Sequence, residues 1–408
     1  MDYKCENVSR ILISKIRTIL KSRYGTNPEV IVLNDLYLQF FKKIPLACSY
    51  LASYLLNVIC ASFERRRFMK KLRTILSATT ILVIVALAIF LISLTVGRYP
   101  VSISLLVKVF LRKIIIFQET WDVSVERVLF TVRLPRITAA FLIGGALSLA
   151  GASYQGMFKN PMVSPDILGA SAGAGFGAAI AILFSLGPIG IEVSAFCFSL
   201  GAVIITITVG KIVSKGNTIS LVLVLTGMVV GSLFSAMVSI TKYVADPESK
   251  LPEITFWLMG GLSNVKPKNI PLLVSLLIVA SIPLFLNRWK LNILSFGDDE
   301  ALSLGVDVRR LRIVVIAGST LLTAACVSVC GLVGWIGLII PHIARLLVGP
   351  DFNILLVVSI LLGGSFLMIV DDIARCTFSV EIPLGILTAL VGAPFFLYLL
   401  AKGKKGWG

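Results

Sequence analysis

The chain has 408 residues, of which 57% are hydrophobic and only 14% charged, with a mean hydropathy of +0.95. A soluble domain is about 45–50% apolar and about 25% charged, so this chain cannot cover itself with a polar surface, and most of it belongs in lipid. The formal charge of +17 does not point to nucleic acid, because the basic residues cluster between apolar runs rather than interleaving with aromatics on a polar module.

Residues 1–68 stand apart. "IPLACSYLASYLLNVICASF" (44–63) is moderately apolar and flanked by basic residues, which suits an extra span or an interfacial helix. "MKKLRTILSATTILVIVALAIFLISLTVG" then opens at Met69 like the start of a membrane protein. The expected organisation is an atypical N-terminal extension over 1–68, a ten-helix membrane domain over 69–402 and a basic tail over 403–408, with translation beginning at or near Met69. A spanning helix needs about 20 apolar residues for a hydrocarbon core about 30 Å thick. On that rule ten passes are expected near 76–97, 134–155, 167–187, 191–212, 218–242, 269–287, 311–332, 338–349, 353–370 and 384–401. They must be helices, since lipid offers a bare backbone no hydrogen-bond partner. The eighth is too short to span alone and is expected to be a broken or tilted pass.

Orientation follows Lys and Arg. "RRRFMKKLR" (65–73) holds six basic residues, and the loops at 211–217 and 288–312 and the tail at 402–408 lie on the same side. Both ends of the ten-pass core are therefore expected in the cytoplasm. The outer segment 98–136 is the exception, with seven basic residues.

Two segments offset by 180 residues resemble one another without a gap: "GALSLAGASYQGMFKNPMVSPDILG" (145–169) and "ACVSVCGLVGWIGLIIPHIARLLVG" (325–349). Gly151 matches Gly331, Pro161 matches Pro341 and Gly169 matches Gly349. Five passes separate the copies, so they would cross in opposite senses, the pattern of an inverted repeat with a transport path between the halves. Each Pro is expected to break one helix and start another. Gly169, Gly173 and Gly177 stand at GxxxG spacing and suit close helix packing. They do not form a nucleotide loop, which would need a preceding strand.

Chemistry-bearing motifs are sparse. There is no GxxxxGK[ST] phosphate loop and no acid near the middle of a span, Asp166 and Glu192 sitting at span ends. Seven cysteines without a CxxC pair read as apolar packing. The single histidine, His342, rules out a histidine metal cluster; a structural place at a helix start is expected for it, while Arg345 is left without an assigned role. A conduit that borrows its energy fits best, with an ATP-independent secondary transporter or channel subunit as the alternative, and a membrane enzyme acting on lipid as a further class. "FGDDEALSLG" (296–305) is the notable polar island. Gly297 and Gly305 bracket about two helical turns, Asp298, Asp299 and Glu300 fall in the first turn where negative charge suits the helix dipole, and Ala301, Leu302 and Leu304 are apolar.

Several stretches together resemble the FecCD-type permease subunits of ABC importers for iron–siderophores, haem and cobalamin: "RLPRITAAFLIGGALSLAGASYQGMFKNPMVSPDILGASAGA" (133–174), "FGDDEALSLGVDV" (296–308), "GLVGWIGLIIPHIARLLVG" (331–349) and "EIPLGILTALVGAPFFLYLL" (381–400). The resemblance covers about residues 70–402. It implies an all-α polytopic fold of about ten transmembrane helices, the type II importer permease, working as a homodimer in the cell membrane. The implied partners are two cytoplasmic ATPase subunits that hold ATP and Mg and an external substrate-binding protein, with no cofactor bound by this chain. The resemblance further implies ATPase coupling through Gly297, Asp298, Asp299, Glu300, Ala301, Leu304 and Gly305. Docking of the binding protein falls to Arg133, Arg136 and Arg375, which would account for part of the outer basic excess. Asn160, Pro161, Thr218 and Ser220 would line the path or its inner gate, although Asn217 or Thr218 equally suits an ordinary helix cap.

Overall fold

The computed structural model describes residues 79–97, 99, 101–112, 121–214, 219–377 and 380–403. Met69, the 1–68 extension, most of the basic tail and Thr218 lie outside the described residues. The described residues are helical with no strand. Six helices are long and apolar enough to cross a membrane, and four further apolar helices are shorter, which together occupy the ten expected positions.

The helices are α1 (Thr79–Thr95), α2 (Ile103–Arg112), α3 (Val123–Arg127), α4 (Leu134–Phe158), α5 (Ala170–Leu183), α6 (Gly187–Val213), α7 (Ile219–Val244), α8 (Lys250–Met259), α9 (Ile270–Leu286), α10 (Arg288–Leu294), α11 (Asp298–Ser303), α12 (Val308–Cys330), α13 (Ile336–Val348), α14 (Phe352–Cys376) and α15 (Leu384–Gly403). α3 runs into α4 through a π-helical turn, Val128–Arg133. Pro135 explains the irregularity. Its ring lacks an N–H and crowds the carbonyl four residues back, and the chain instead bonds Leu134 N to Leu129 O.

α4 is the central element and is buried on nearly all sides. Glycine lets two neighbours, α14 and α13, approach it closely. A Cβ on Gly144 or Gly364 would overlap backbone or ring atoms across the α4–α14 crossing, where Gly144 meets the Gly363 carbonyl and Gly364 meets Phe141. Across the bundle, the Tyr154 hydroxyl meets Thr320 Oγ1 of α12 at 2.9 Å. The GxxxG expectation is met inside the subunit: a Cβ on Gly173 would lie 2.5 Å from Phe198 O, and one on Gly177 2.5 Å from Ser194 O, both on α6.

The third and eighth passes depart from full spans. α5 has 14 residues and α13 has 13, so at 1.5 Å per residue each covers about 20 Å of a core about 30 Å thick. Before α5 the chain makes a short 3-10 turn, Pro165–Leu168, and reverses at Gly169 (φ 84). Pro165 packs on Gly337, which also abuts the Leu147 carbonyl of α4. Thus α13 begins beside α4, the 3-10 turn that leads into α5 packs between them at Gly337, and the segment 159–169 enters the bundle from one end.

The repeat takes a different form from the expected register. The order long–short–long recurs, with α4–α5–α6 of 25, 14 and 27 residues and α12–α13–α14 of 23, 13 and 25. Their starts are 134, 170 and 187 against 308, 336 and 352, offsets of 174, 166 and 165 rather than 180. Under the gapless register Gly151 is inside α4 whereas Gly331 (φ 70) ends α12. Pro161 starts no helix, and Pro341 sits within α13 rather than at its start. Pro341 has a different use. It removes the donor to the carbonyl of Gly337, four residues back, and that carbonyl lies against Gly151 of α4, where a Cβ would not fit.

Candidate functional site

Two polar clusters sit at opposite ends of α4. Arg136 is in its first turn and Lys159 caps its last, about 35 Å apart at 1.5 Å per residue.

At the Lys159 end lies α11. All three acids, Asp298, Asp299 and Glu300, occupy its first turn, where they complement the helix dipole. Gly297 precedes it at φ 145, and any Cβ there would strike the Glu300 carboxylate. Gly305 closes it at φ 79, with Val306 N bonded to Ala301 O at 2.9 Å. The two glycines thus do bracket a short helix. Its faces differ sharply. Ala301 is 0% exposed, whereas Leu304 is 64% exposed and Phe296 and Leu302 are also open. Asp298 turns inward, receiving Lys159 Nζ at 3.0 Å and Arg312 Nη2 at 2.6 Å. Burial pushes its pKa upward, but the Lys159 hydrogen bond and the Arg312 charge outweigh it and hold the group below the ordinary carboxylate value.

At the other end Arg136 lies between α4 and α14. Its Nε and Nη2 donate to Asp371 at 2.8–3.1 Å and its Nη1 to Glu381 at 2.9 Å. Arg375 pairs with Asp372 and donates to Ser93 O at 2.9 Å, while Ser93 Oγ donates to Asp372 at 2.5 Å. Arg133 donates to the carbonyls of Leu94 (2.7 Å), Thr95 (3.2 Å) and Tyr99. All three guanidiniums are buried. They close the ends of α1, α4 and α14 on one another.

Between the clusters runs the re-entrant segment. Asn160 Oδ1 accepts from Met162 N at 2.9 Å. Gln155 Nε2 bonds both Val163 O (3.3 Å) and Leu338 O (3.1 Å), tying the segment to the start of α13. Ten apolar helices among the described residues, two of them about half-length, and a glycine-bracketed acidic helix at one end have the layout expected of an importer permease. The FecCD transport family matches residues 82–402.

The chain belongs to the FecCD transport family.

Its relatives agree. The molybdate import system permease protein MolB of Haemophilus influenzae is 40% identical over 329 residues, covering 80% of this chain and 95% of that protein. The cobalamin import system permease protein BtuC of Halobacterium salinarum is 42% identical, covering 66% and 72%. The hemin transport system permease protein HmuU of Yersinia pestis is 32% identical, covering 71% and 89%. An inward-facing structure of a metal-chelate type ABC transporter superposes with a TM-score of 0.70 at 36% identity, covering 80% of this chain and 99% of that one. The chain is thus an ABC importer permease, a polytopic membrane subunit that works with ATPase and substrate-binding partners and is not itself an enzyme.

Within this FecCD permease the assigned residues take the following places. Arg133, Arg136 and Arg375 do come together, but as an internal network rather than as open rim charges. The acids that engage the last two, Asp371, Asp372 and Glu381, are missing from the sequence assignment, although "DDIAR" displays two of them. Ala301 packs inward against the bundle, whereas Phe296, outside the assigned set, is open. Asp298 is taken up by Lys159 and Arg312. His342 is in the middle of α13, half-buried, not at a helix start. Arg345 lies one turn further on, also half-buried. Asn160 and Pro161 lie on the re-entrant segment, and Ser220 falls in the first turn of α7.

Proposed function

We propose that this FecCD permease works as a homodimer whose α11 ends face the cytoplasm and seat two ABC ATPase subunits. The observation that carries this reading is the open face of α11, where Phe296, Leu302 and Leu304 are exposed beside Asp299 and Glu300. An apolar patch rimmed by charge marks a protein interface, and the glycines on either side hold the helix in place. The positive-inside distribution of Arg288, Lys290, Arg309 and Arg310 around it supports the same sidedness. The opposite end would then receive the substrate-binding protein, with Arg133, Arg136 and Arg375 organising that surface from beneath. The path would follow the re-entrant segment, including Asn160 and Pro161, with Thr218 and Ser220 near its inner mouth. In this reading residues 69–402 form the permease domain, flanked by the 1–68 extension and the 403–408 tail.

The cargo we propose is a metal-bearing solute of the iron–siderophore, haem or cobalamin type. The cobalamin and hemin permeases among its relatives support this class, and the molybdate permease extends it to a metal oxyanion. The test is reconstitution with the ATPase partner and assay of ATP-dependent uptake of ferric siderophore, hemin, cyanocobalamin and molybdate. Saturable uptake of one of them, abolished in the Leu302→Asp/Leu304→Asp double variant together with ATPase co-purification, is the expected result. Uptake that continues without ATP, or an ATPase that stays bound to that variant, would overturn the reading.

A further inference from the structure

Of the three acids on α11, one is tied back to the bundle. Asp299 and Glu300 make no side-chain ion pair among the described residues, whereas Asp298 uses one carboxylate oxygen for Lys159 (3.0 Å) and the other for Arg312 (2.6 Å). One carboxylate therefore joins three elements: α11, the end of α4 and the first turns of α12. Lys159 holds a left-handed backbone conformation (φ 51, ψ 34), which is uncommon outside glycine, asparagine and aspartate and is kept where the surroundings fix it. It is also the first residue of the re-entrant segment. Asn160 N bonds Gln155 O at 3.1 Å, and Gln155 Nε2 ties the segment to Leu338 of α13. Pro165, at its inner end, packs on Gly337.

We propose that Lys159, Asp298 and Arg312 form the joint that carries motion of α11 to the re-entrant segment and α13, so that Asp298 is a positioning residue and not an ATPase contact. This rests on the reading of α11 as the ATPase seat. Ion pairs of this geometry also occur as plain surface contacts, and each partner here is partly exposed. What distinguishes the joint is that its members lead into the one described segment that enters the bundle between α4 and α5.

The test uses the full permease with its ATPase subunits in nanodiscs, and needs no cargo. Met162, exposed on the re-entrant segment, is replaced by cysteine in a background whose native cysteines do not label, and its rate of reaction with a bulky maleimide is compared with and without ATP. Lys159→Glu places like charges together. It is expected to reduce the ATP-dependent change in labelling by about fivefold, the most that a partly exposed pair worth about 1 kcal/mol supports, with ATPase binding and hydrolysis retained. Lys159→Arg is expected to keep the change. Asp298→Asn should act like Lys159→Glu, with thermal unfolding reporting that both variants fold. An unaltered ATP response in Lys159→Glu, or loss of ATPase binding in it, overturns the proposal. A parent protein that binds ATPase but shows no ATP response at Met162→Cys overturns the joint alone, whereas one that binds no ATPase sinks the underlying docking reading and the joint with it.

Discussion

Arg136 separates two accounts of the end of the bundle opposite α11. If it is an internal strut, Arg136→Ala removes the partner of Asp371, which is 1% exposed, and leaves a carboxylate stranded between α4 and α14. Removing one member of a buried ion pair costs about 3–5 kcal/mol, because the remaining charge is uncompensated. A residue at an open rim would cost within about 0.5 kcal/mol. At about 2 °C per kcal/mol for a long chain, the strut account gives a fall of roughly 6–10 °C in the apparent unfolding temperature of detergent-solubilised protein. Arg375 still lies 3.5 Å from Asp371, which places the expectation near the lower bound. Replacing both partners, Arg136→Leu with Asp371→Leu, removes both charges and is expected to recover most of the loss. The assay is fluorescence-monitored unfolding of the three proteins, with binding-protein affinity measured alongside. An Arg136→Ala protein that unfolds at the parental temperature while losing binding-protein affinity would refute the strut and restore the exposed-rim account.

Ala301→Asp is expected to abolish folded protein in detergent, since it forces a carboxylate into a fully buried site, whereas Leu302→Asp folds normally; size-exclusion profiles of the two separate buried from open faces of α11. Gly151→Ala is expected to lower folded yield, its methyl meeting the Gly337 carbonyl at a cost of about 1–3 kcal/mol. Gly201→Ala in α6, where no atom lies within 4 Å of a new methyl, is expected to raise the unfolding temperature slightly, by about 0.5–1 kcal/mol of helix preference. The Asp298 pKa is depressed in the fold, so its contribution is present in full above the ordinary carboxylate value of about 3.9 and is lost as pH falls through the lower folded value. The difference in unfolding temperature between the parent and Asp298→Asn should therefore be constant from pH 8 to pH 5 and shrink only in stronger acid. A difference that already changes between pH 7 and pH 6 would contradict that assignment.

The ten passes were legible because each is a run of apolar residues long enough to leave a mark on its own. So was the short eighth pass, and so was α11, whose bracketing glycines are local signals. The shortening of the third pass was carried by Pro165 and Gly169, but apolar residues continue through the break and masked it. The fate of the arginines was not legible. Arg136 and Asp371 are 235 residues apart, and only the α4–α14 crossing brings them together. A six-residue helix also gives too little periodicity to assign its faces, so Ala301 and Leu302 could not be told apart as inward and outward. Lys159 carried no signal at all until the fold placed it 3.0 Å from Asp298. The gapless repeat was misleading for a related reason: it aligned helix breakers, which recur in many membrane chains, instead of helices.

The glycine crossings also limit how this protein moves. α4 meets α14 backbone to backbone through Gly144 and Gly363, and α5 meets α6 through Gly173 and Gly177. A slip of one residue, 1.5 Å along an axis, would drive ordinary side chains into carbonyl groups. Each pair is therefore a single rigid body with no sliding freedom. Movement of one body against the other is then left to the strip that joins α4 to α5, 159–169. That strip, and not the long helices, is where labels that report relative movement belong.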